Sequence, residues 1–272
     1  MPLRTDPSHY LQPLGELARL AGERILDIYN SEFQVEEKGD KSPLTAADLA
    51  AHECLLAGLA GLTPVYPVLS EESASLDYAV RQGWKTYWLV DPLDGTKEFV
   101  KRNGEFTVNV ALIHRGVPVL GIVHAPALGV TYFACENCGA FRQEGAESPV
   151  PIRVTVPAAN PLRVVGSRSH NTVEMELFLS RLGEHECVPM GSSLKFCLVA
   201  EGKADIYPRI GLTSEWDTAA AQCVVEQAGG AVVDLDGKPL RYNSKPSILN
   251  PYFLVYGDRG KDWTRYAAGI VG

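Results

Sequence analysis

The sequence predicts a mixed α/β (α+β) protein built as two layered units that share a core. From Val65 onward, short apolar runs at 65–69, 87–91, 106–113, 117–124 and 130–134 are separated by Pro and Gly. That is the texture of an antiparallel meander. Beyond residue 162, apolar runs instead alternate with helical stretches, the pattern of βα units. Between the two, the segment 147–162 holds Pro149, Pro151, Pro157 and Pro161. It marks the expected junction between an N-terminal α+β domain over 1–155 and a C-terminal α/β domain over 156–272.

Element by element, the first signal is a helix over about 9–30. Leu14, Leu17, Ala18, Ala21, Ile25 and Ile28 recur there at steps of three and four, one face of an amphipathic cylinder. A second helix begins at Thr45, a good N-cap, with Asp48 three residues on as its capping-box acid. Its expected core face is Leu49, Leu56 and Leu59. Arg115-Gly116 and Leu128-Gly129 are the expected turns of the meander. In the second half a strand is expected at 163–166. Helices follow at about 171–182, at 192–201 closed by Gly202, and at 217–228 closed by Gly229-Gly230. Strands near 231–235 and 252–256 complete the chain.

Composition narrows the function. With 272 residues, 46% hydrophobic and 21% charged, this is an ordinary globular protein. Its net charge of −8 argues against a nucleic-acid partner or an anionic-membrane anchor that works through a general basic field. No apolar stretch reaches the roughly 20 residues of an integral membrane segment, and no secretory signal is evident. A cytoplasmic location is expected. The six cysteines, at 54, 135, 138, 187, 197 and 223, are too sparse for a stapled scaffold and are expected to be reduced.

Four carboxylates stand at the ends of predicted elements. Glu71 follows a strand in VLSEES, Asp91 and Asp94 end the run WLVDPLDGT, and Asp217 opens the helix WDTAAAQCVVEQAGG. Each alone has a plain reading, as a loop charge, a turn residue or a helix cap. Gathered together they would repel one another: like charges about 4 Å apart cost roughly 4 kcal/mol at an effective dielectric near 20. Such a cluster calls for cations. Oxygen ligands with no His or Cys among them favour Mg²⁺ or Mn²⁺ over zinc. After Asp94, Gly95 allows close backbone approach, and Thr96 begins a short helix whose first amides would face an anion such as phosphate.

These blocks, SEES, DPLDGT and the distant WDTAAAQCVVEQAGG, resemble in their order the two signatures of the inositol monophosphatase superfamily, over essentially the whole chain. The resemblance implies a layered αβαβα sandwich and a lithium-sensitive phosphatase dependent on two or three Mg²⁺ ions. Its metal ligands would be the side chains of Glu71, Asp91, Asp94 and Asp217 with the carbonyl of Leu93. Thr96 and Asp48, together with Glu71, would orient or activate the attacking water. Asp48 also keeps its capping role.

Details favour the nucleotidase branch, the CysQ-type proteins. Lys97-Glu98-Phe99 follows the DGT motif where inositol monophosphatases carry Thr-Asn-Phe, and KRNGEFTVNVAL, SRSH and GSSLKFCLVAEG match that branch closely. By that similarity His170, Ser192, Lys195 and Arg209 would line a nucleotide site. Glu71, Leu93, Asp94, Gly95, Thr96 and Asp217 would hold the phosphate undergoing hydrolysis. Ser192 could cap the 192–201 helix while facing a second phosphate, with Lys195 one turn later as a point charge; the alternative is a capped helix with a solvated lysine.

The expected substrate is then a small-molecule nucleotide bisphosphate, adenosine 3′,5′-bisphosphate, cleaved at the 3′ position by in-line attack of water. Rivals are an inositol-phosphate or sugar-phosphate phosphatase and, more remotely, a non-catalytic anion-binding module. Monomer and homodimer both stay open. Some relatives are assigned to the cytoplasmic face of the inner membrane, yet nothing in the sequence supplies an anchor. One departure from the family is Cys135 and Cys138 in FACENCGAF, where relatives carry a Gly-rich hairpin tip. Zinc would need a second pair such as His185 and Cys187, so two thiols on a β-turn are expected.

Overall fold

The computed structural model describes residues 5–37, 43–73, 76–166 and 172–270. Five layers alternate, helix and sheet. The outermost holds α1 (Leu11–Tyr29) and α2 (Ala46–Ala60), with a small ribbon of β1 (Val35–Glu37) and β2 (Pro43–Thr45) beside them. Next comes a seven-stranded sheet in sequence order: β3 (Val68–Ser70), β4 (Thr86–Asp94), β5 (Thr107–His114), β6 (Val117–Ala125), β7 (Val130–Cys135), β8 (Gly139–Glu144) and β9 (Val150–Ile152). Short helices α3 (Tyr78–Arg81) and α4 (Thr96–Val100) flank β4. The second sheet, of five strands, has the order β11-β10-β12-β14-β13. Its strands are β10 (Leu162–Gly166), β11 (His185–Pro189), β12 (Ile206–Arg209), β13 (Ala231–Asp234) and β14 (Phe253–Tyr256), with α5 (Val173–Leu182) on its far side. Helices α6 (Leu194–Ala200) and α7 (Glu215–Gln227) lie between the two sheets.

Strand periodicity explains the layering. In β4, Trp88 and Val90 point to the α1/α2 face, where Leu14, Ala18, Ile25, Leu55 and Leu59 join them. Their neighbours Tyr87 and Leu89 point the other way, onto α6 and α7. Both faces are covered, so β4 reads as a continuous apolar run. The α6/α7 cluster continues without a break into Val165, Tyr207, Val232, Phe253 and Val255 of the second sheet. A third cluster, Leu162, Val164, Ile206 and Leu254, packs against Phe178 and Leu182 of α5 and against Trp263 and Tyr266.

At one point the middle helices come very close to the large sheet. Ala111, Gly121 and Ala134 are register partners across β5, β6 and β7, so a row of minimal side chains forms a groove. Helix α7 lies in it: a Cβ added to Gly121 would stand 2.1 Å from the Ala220 carbonyl oxygen.

Several expectations need correction. The second helix starts at Thr45 with the predicted capping box, but its buried stripe is Ala47, Ala51, Leu55 and Leu59, while Leu49 is 47% exposed. Small residues were favoured there because α1 and α2 nearly touch; a Cβ on Gly58 would meet Leu17 Cδ1 at 2.3 Å. The first strand pair, β3 with β4, is parallel, because the chain crosses through α3 before returning. Strands β1, β2, β8, β9, β11 and β12 were not foreseen; β11 is only partly buried and lacks an apolar alternation. The two-thiol reading of the CxxC is overturned as well. Cys135 and Cys138 form a disulfide across the tight β7–β8 turn, where Cys138 N–H donates to the Cys135 carbonyl and the Cα atoms lie 5.2 Å apart. The other four cysteines are free thiols. Among the described residues no helix is long and apolar enough to cross a membrane.

Candidate active site

Strand register brings the first acids together. β3 ends beside the middle of its parallel partner β4, Ser70 opposite Val90, so the next residues along, Glu71 and Asp91, are neighbours. The Glu71 carboxyl lies close enough to Asp91 to raise its pKa. In a regular strand Asp91 and Asp94, three positions apart, would face opposite sides. Pro92 lies within a break in the β4–β5 register between them, and this bulge turns both toward one region. Asp91 is buried, and its Oδ1 accepts the Leu93 N–H at 3.0 Å.

Asp217 arrives from the second half. It is the third residue of α7, and its Oδ2 accepts the Ser214 N–H at 2.9 Å in a capping box. The capping reading of Asp217 thus holds without removing it from the acid cluster. Burial first, then the charges of Glu71, Asp94 and Asp217, holds the Asp91 carboxyl far above its ordinary range. Asp217 is pushed up to about 8 by burial and by Asp94, with the Ser214 amide and Arg209 working against the rise. Asp91 and Asp217 both feel the charges of Glu71 and Asp94, which puts the four acids within electrostatic reach.

Thr96 and Asp48 meet beside them. Asp48, buried at the start of α2, accepts Thr45 N–H and Thr45 Oγ1–H at 2.8 Å each on Oδ2. Its Oδ1 is left to accept the Thr96 hydroxyl at 3.3 Å, and Thr96 Oγ1 is equally 3.3 Å from the Leu93 carbonyl. Gly95 sits at φ 90°, a conformation that glycine adopts freely, and a Cβ there would press on the Glu105 carbonyl at 3.1 Å and Ser192 Cβ at 3.2 Å.

Asp94, Gly95, Ser192, Lys195, Arg209 and Asp217 line a single cleft of about 200 Å³. The Lys195 ammonium lies 5.5 Å from the centre of the Tyr207 ring, a cation–π distance. Burial pulls its pKa below that of an ordinary lysine, while Asp94 pulls it back up. Arg209 Nη2 donates to the Leu212 carbonyl at 2.8 Å. Ser192 is not the N-cap of α6: it takes φ 45°, Ser193 occupies the cap position, and the Ser192 hydroxyl reaches Leu194 N–H only at 3.4 Å. Glu71, Asp91, Leu93, Thr96 and Asp48 do not line this cleft; they adjoin it through Asp94 and Gly95. His170 lies outside the described residues, as does the rest of SRSH.

Sequence reasoning missed Ser193 and Asn109, which bind Asp94 directly, and Lys97, Glu98, Phe196, Tyr207, Thr213 and Thr218, which line the cleft. An Asn inside the apolar strand TVNVALIH was the one available signal for Asn109. Among the described residues, no three His, Cys, Asp or Glu side chains stand as a ready-made metal cage. Asp91, Asp94 and Asp217 each turn an oxygen to a protein donor. The donor chemistry nonetheless fits a hard divalent cation: oxygen atoms only, from acids whose mutual repulsion a cation between them would cancel.

Five alternating layers bring four carboxylates, from the turn after β3, from β4 and from the first turn of α7, into one region of the molecule. The chain belongs to the inositol monophosphatase family, whose sequence profile matches residues 6–262. Among curated relatives it is 52% identical, over 247 residues, to the 3′(2′),5′-bisphosphate nucleotidase CysQ of Salmonella typhimurium, covering 90% of this chain and 98% of that protein. The crystal structure of CysQ from Bacteroides thetaiotaomicron superposes with a TM-score of 0.81 at 44% identity, over 91% of this chain and 97% of that one. The Thermotoga maritima IMPase follows at a TM-score of 0.76 and 26% identity, over 93% and 94%.

Proposed function

We propose that this chain is a Mg²⁺-dependent 3′(2′),5′-bisphosphate nucleotidase that releases the 3′-phosphate of adenosine 3′,5′-bisphosphate. The observation that carries the reading is the joint placement of Asp94 and Asp217, from opposite halves of the chain, on a cleft that also holds Lys195 and Arg209. Acids alone would repel a phosphate ester. Acids able to gather cations, beside two further fixed cations, suit a substrate with two phosphates.

Glu71, Asp91, Asp94, Asp217 and the Leu93 carbonyl would hold the Mg²⁺ ions, two or three in number. When bound, Mg²⁺ acidifies water and offsets charge on phosphoryl and ester oxygens. The chain's own residues do the rest. Asp48, fixed by two bonds from Thr45, orients the Thr96 hydroxyl and is the nearest acceptor for a proton passed through it. Glu71, whose charge raises the pKa of Asp91, is the second basic group beside the attacking water. Lys195 and Arg209 bind the phosphate that is not cleaved, and the Tyr207 ring seats the lysine. Ser192 and Gly95 shape the wall between the two phosphates.

Phosphate release from adenosine 3′,5′-bisphosphate and from inositol 1-phosphate, compared at equal Mg²⁺, tests the assignment. A preference for the nucleotide is expected; a preference for the inositol ester overturns it. Asp94→Asn should abolish turnover in a protein that still folds cooperatively, as circular-dichroism melting without metal would show.

A further inference from the structure

We propose that Ser193, oriented by Asn109, is a positioning residue that decides which oxygen of Asp94 is offered to a divalent cation. The proposal rests on the reading of Asp94 as a metal-binding acid and adds what holds that acid.

Three donors converge on one atom. Asp94 Oδ2 accepts Ser193 N–H at 2.6 Å, Ser193 Oγ–H at 2.6 Å and, more weakly, Asn109 Nδ2–H at 3.4 Å. Two bonds this short to a carboxylate oxygen occupy its strong acceptor directions. Oδ1 is therefore the oxygen left for a cation, which Asp94 would hold through one atom.

The direction of each bond follows from chemistry. Asn109 Nδ2 lies 2.7 Å from Ser193 Oγ and also faces the Asp94 carboxylate. A flipped amide would set its carbonyl against that carboxylate, so the amide nitrogen donates to both. Ser193 has a single hydroxyl proton and two acceptors in reach, Asp94 Oδ2 at 2.6 Å and the Asp217 carbonyl at 2.9 Å. The shorter, charge-assisted bond to Asp94 takes the proton. Ser193 and Asn109 are each 1% exposed, so bulk water does not compete for these groups.

Two further features argue that the arrangement is not merely structural. Ser193 occupies the N-cap position of α6, where serine is favoured for its hydroxyl, yet makes no side-chain cap bond. Its hydroxyl is committed to Asp94 instead. Asn109 sits in an otherwise apolar stretch of β5 with its Oδ1 lacking a partner among the described residues, a poor choice for stability alone. Through the Asp217 backbone, Ser193 also touches the helix that carries the other acid.

The test is Mn²⁺ binding to the metal-stripped full chain, followed by the electron paramagnetic resonance signal of free Mn²⁺, with circular-dichroism melting of each metal-free variant. Outer residues that orient metal ligands are worth about 10- to 100-fold in affinity. Ser193→Ala should therefore bind Mn²⁺ about 10- to 100-fold more weakly, and Ser193→Thr, which keeps the hydroxyl, should restore most of the loss. If Ser193→Ala fails to fold, Asn109→Leu removes the orienting donor and should weaken binding in the same direction. Unchanged affinity in folded Ser193→Ala, or equal weakness in the alanine and threonine variants, overturns the proposal. Unchanged affinity in Asp94→Asn overturns instead the reading of Asp94 as a ligand, so the two failures are distinguishable.

Discussion

Replacing Gly121 with alanine adds one methyl group where the structure has no room for it. Gly121 lies in extended backbone that any residue adopts, so the substitution brings no backbone strain, and by restricting the unfolded chain it would alone stabilise by about 0.4–1 kcal/mol. The steric effect opposes this gain. The new Cβ would stand 2.1 Å from the Ala220 oxygen, 2.8 Å from its carbonyl carbon and 2.9 Å from its Cα. These are backbone atoms of a helix and cannot swing aside, so α7 must retreat by more than an ångström or β6 must bow. Overpacking of this kind typically costs about 1–3 kcal/mol. For a chain of this size that lowers the melting temperature by roughly 2–5 °C. The functional effect should be larger than the stability effect, because Asp217 rides on the same helix, one turn before Ala220. A displacement of about 1 Å at a reacting group can cost on the order of 10²-fold in rate. Differential scanning calorimetry and phosphate release at saturating Mg²⁺ would measure both. A Gly121→Ala protein that melts within about 1 °C of the parent and turns over at the same rate would refute the idea that this contact sets the position of Asp217.

Other outcomes are expected elsewhere. Thr96→Val removes the hydroxyl between Asp48 and Leu93, and should lower kcat by about 10²- to 10³-fold with little change in KM; an unaltered kcat rules out its part in proton transfer. Lys195→Met should raise KM for adenosine 3′,5′-bisphosphate by roughly 10- to 100-fold and leave KM for 3′-AMP nearly unchanged; equal effects on both would place the lysine on the wrong phosphate. His124, buried beneath Gly22 with Nδ1 2.9 Å from Thr131 Oγ1, is held down to about 4 by burial and then by Arg19. Its pKa is depressed on folding, so the unfolded chain binds the extra proton first. Stability is full above about pH 6.5 and falls as the pH drops toward 4, by at most about 3 kcal/mol for this group. Urea denaturation at pH 4.5 and 7 should show a smaller acid loss in His124→Gln than in the parent; equal losses refute it.

What could be read from the sequence was what repeats or punctuates. The 3.6-residue spacing of Leu14, Ala18, Ala21 and Ile25 and the Thr45–Asp48 capping box both appear in the structure at the expected residues. The acids were visible because each stands at the end of a predicted element. Leu49 misled because hydrophobicity alone cannot tell a helix face that needs bulk from one that needs closeness, and α2 turns its alanines inward. β11 escaped notice because an edge strand pairs through its backbone and leaves no pattern in its side chains. The Cys135–Cys138 bond depends on the turn geometry of β7 and β8, which two cysteine letters do not specify. Ser193 was hidden for a different reason. Its partner Asp94 lies 99 positions away, and a Ser-Ser pair before a helix looks like capping.

The α6/α7 layer, enclosed by a sheet on each side, restricts how this molecule can work. Enzymes whose two lobes meet across a thin seam can swing open to admit a ligand and close over it. Here such a swing would tear a continuous apolar interior and expose it to water. Entry and exit must therefore run through the rim of a preformed mouth. Selectivity between phosphate esters then depends on the loops that edge that mouth, and these can diverge among relatives while the scaffold beneath them stays the same.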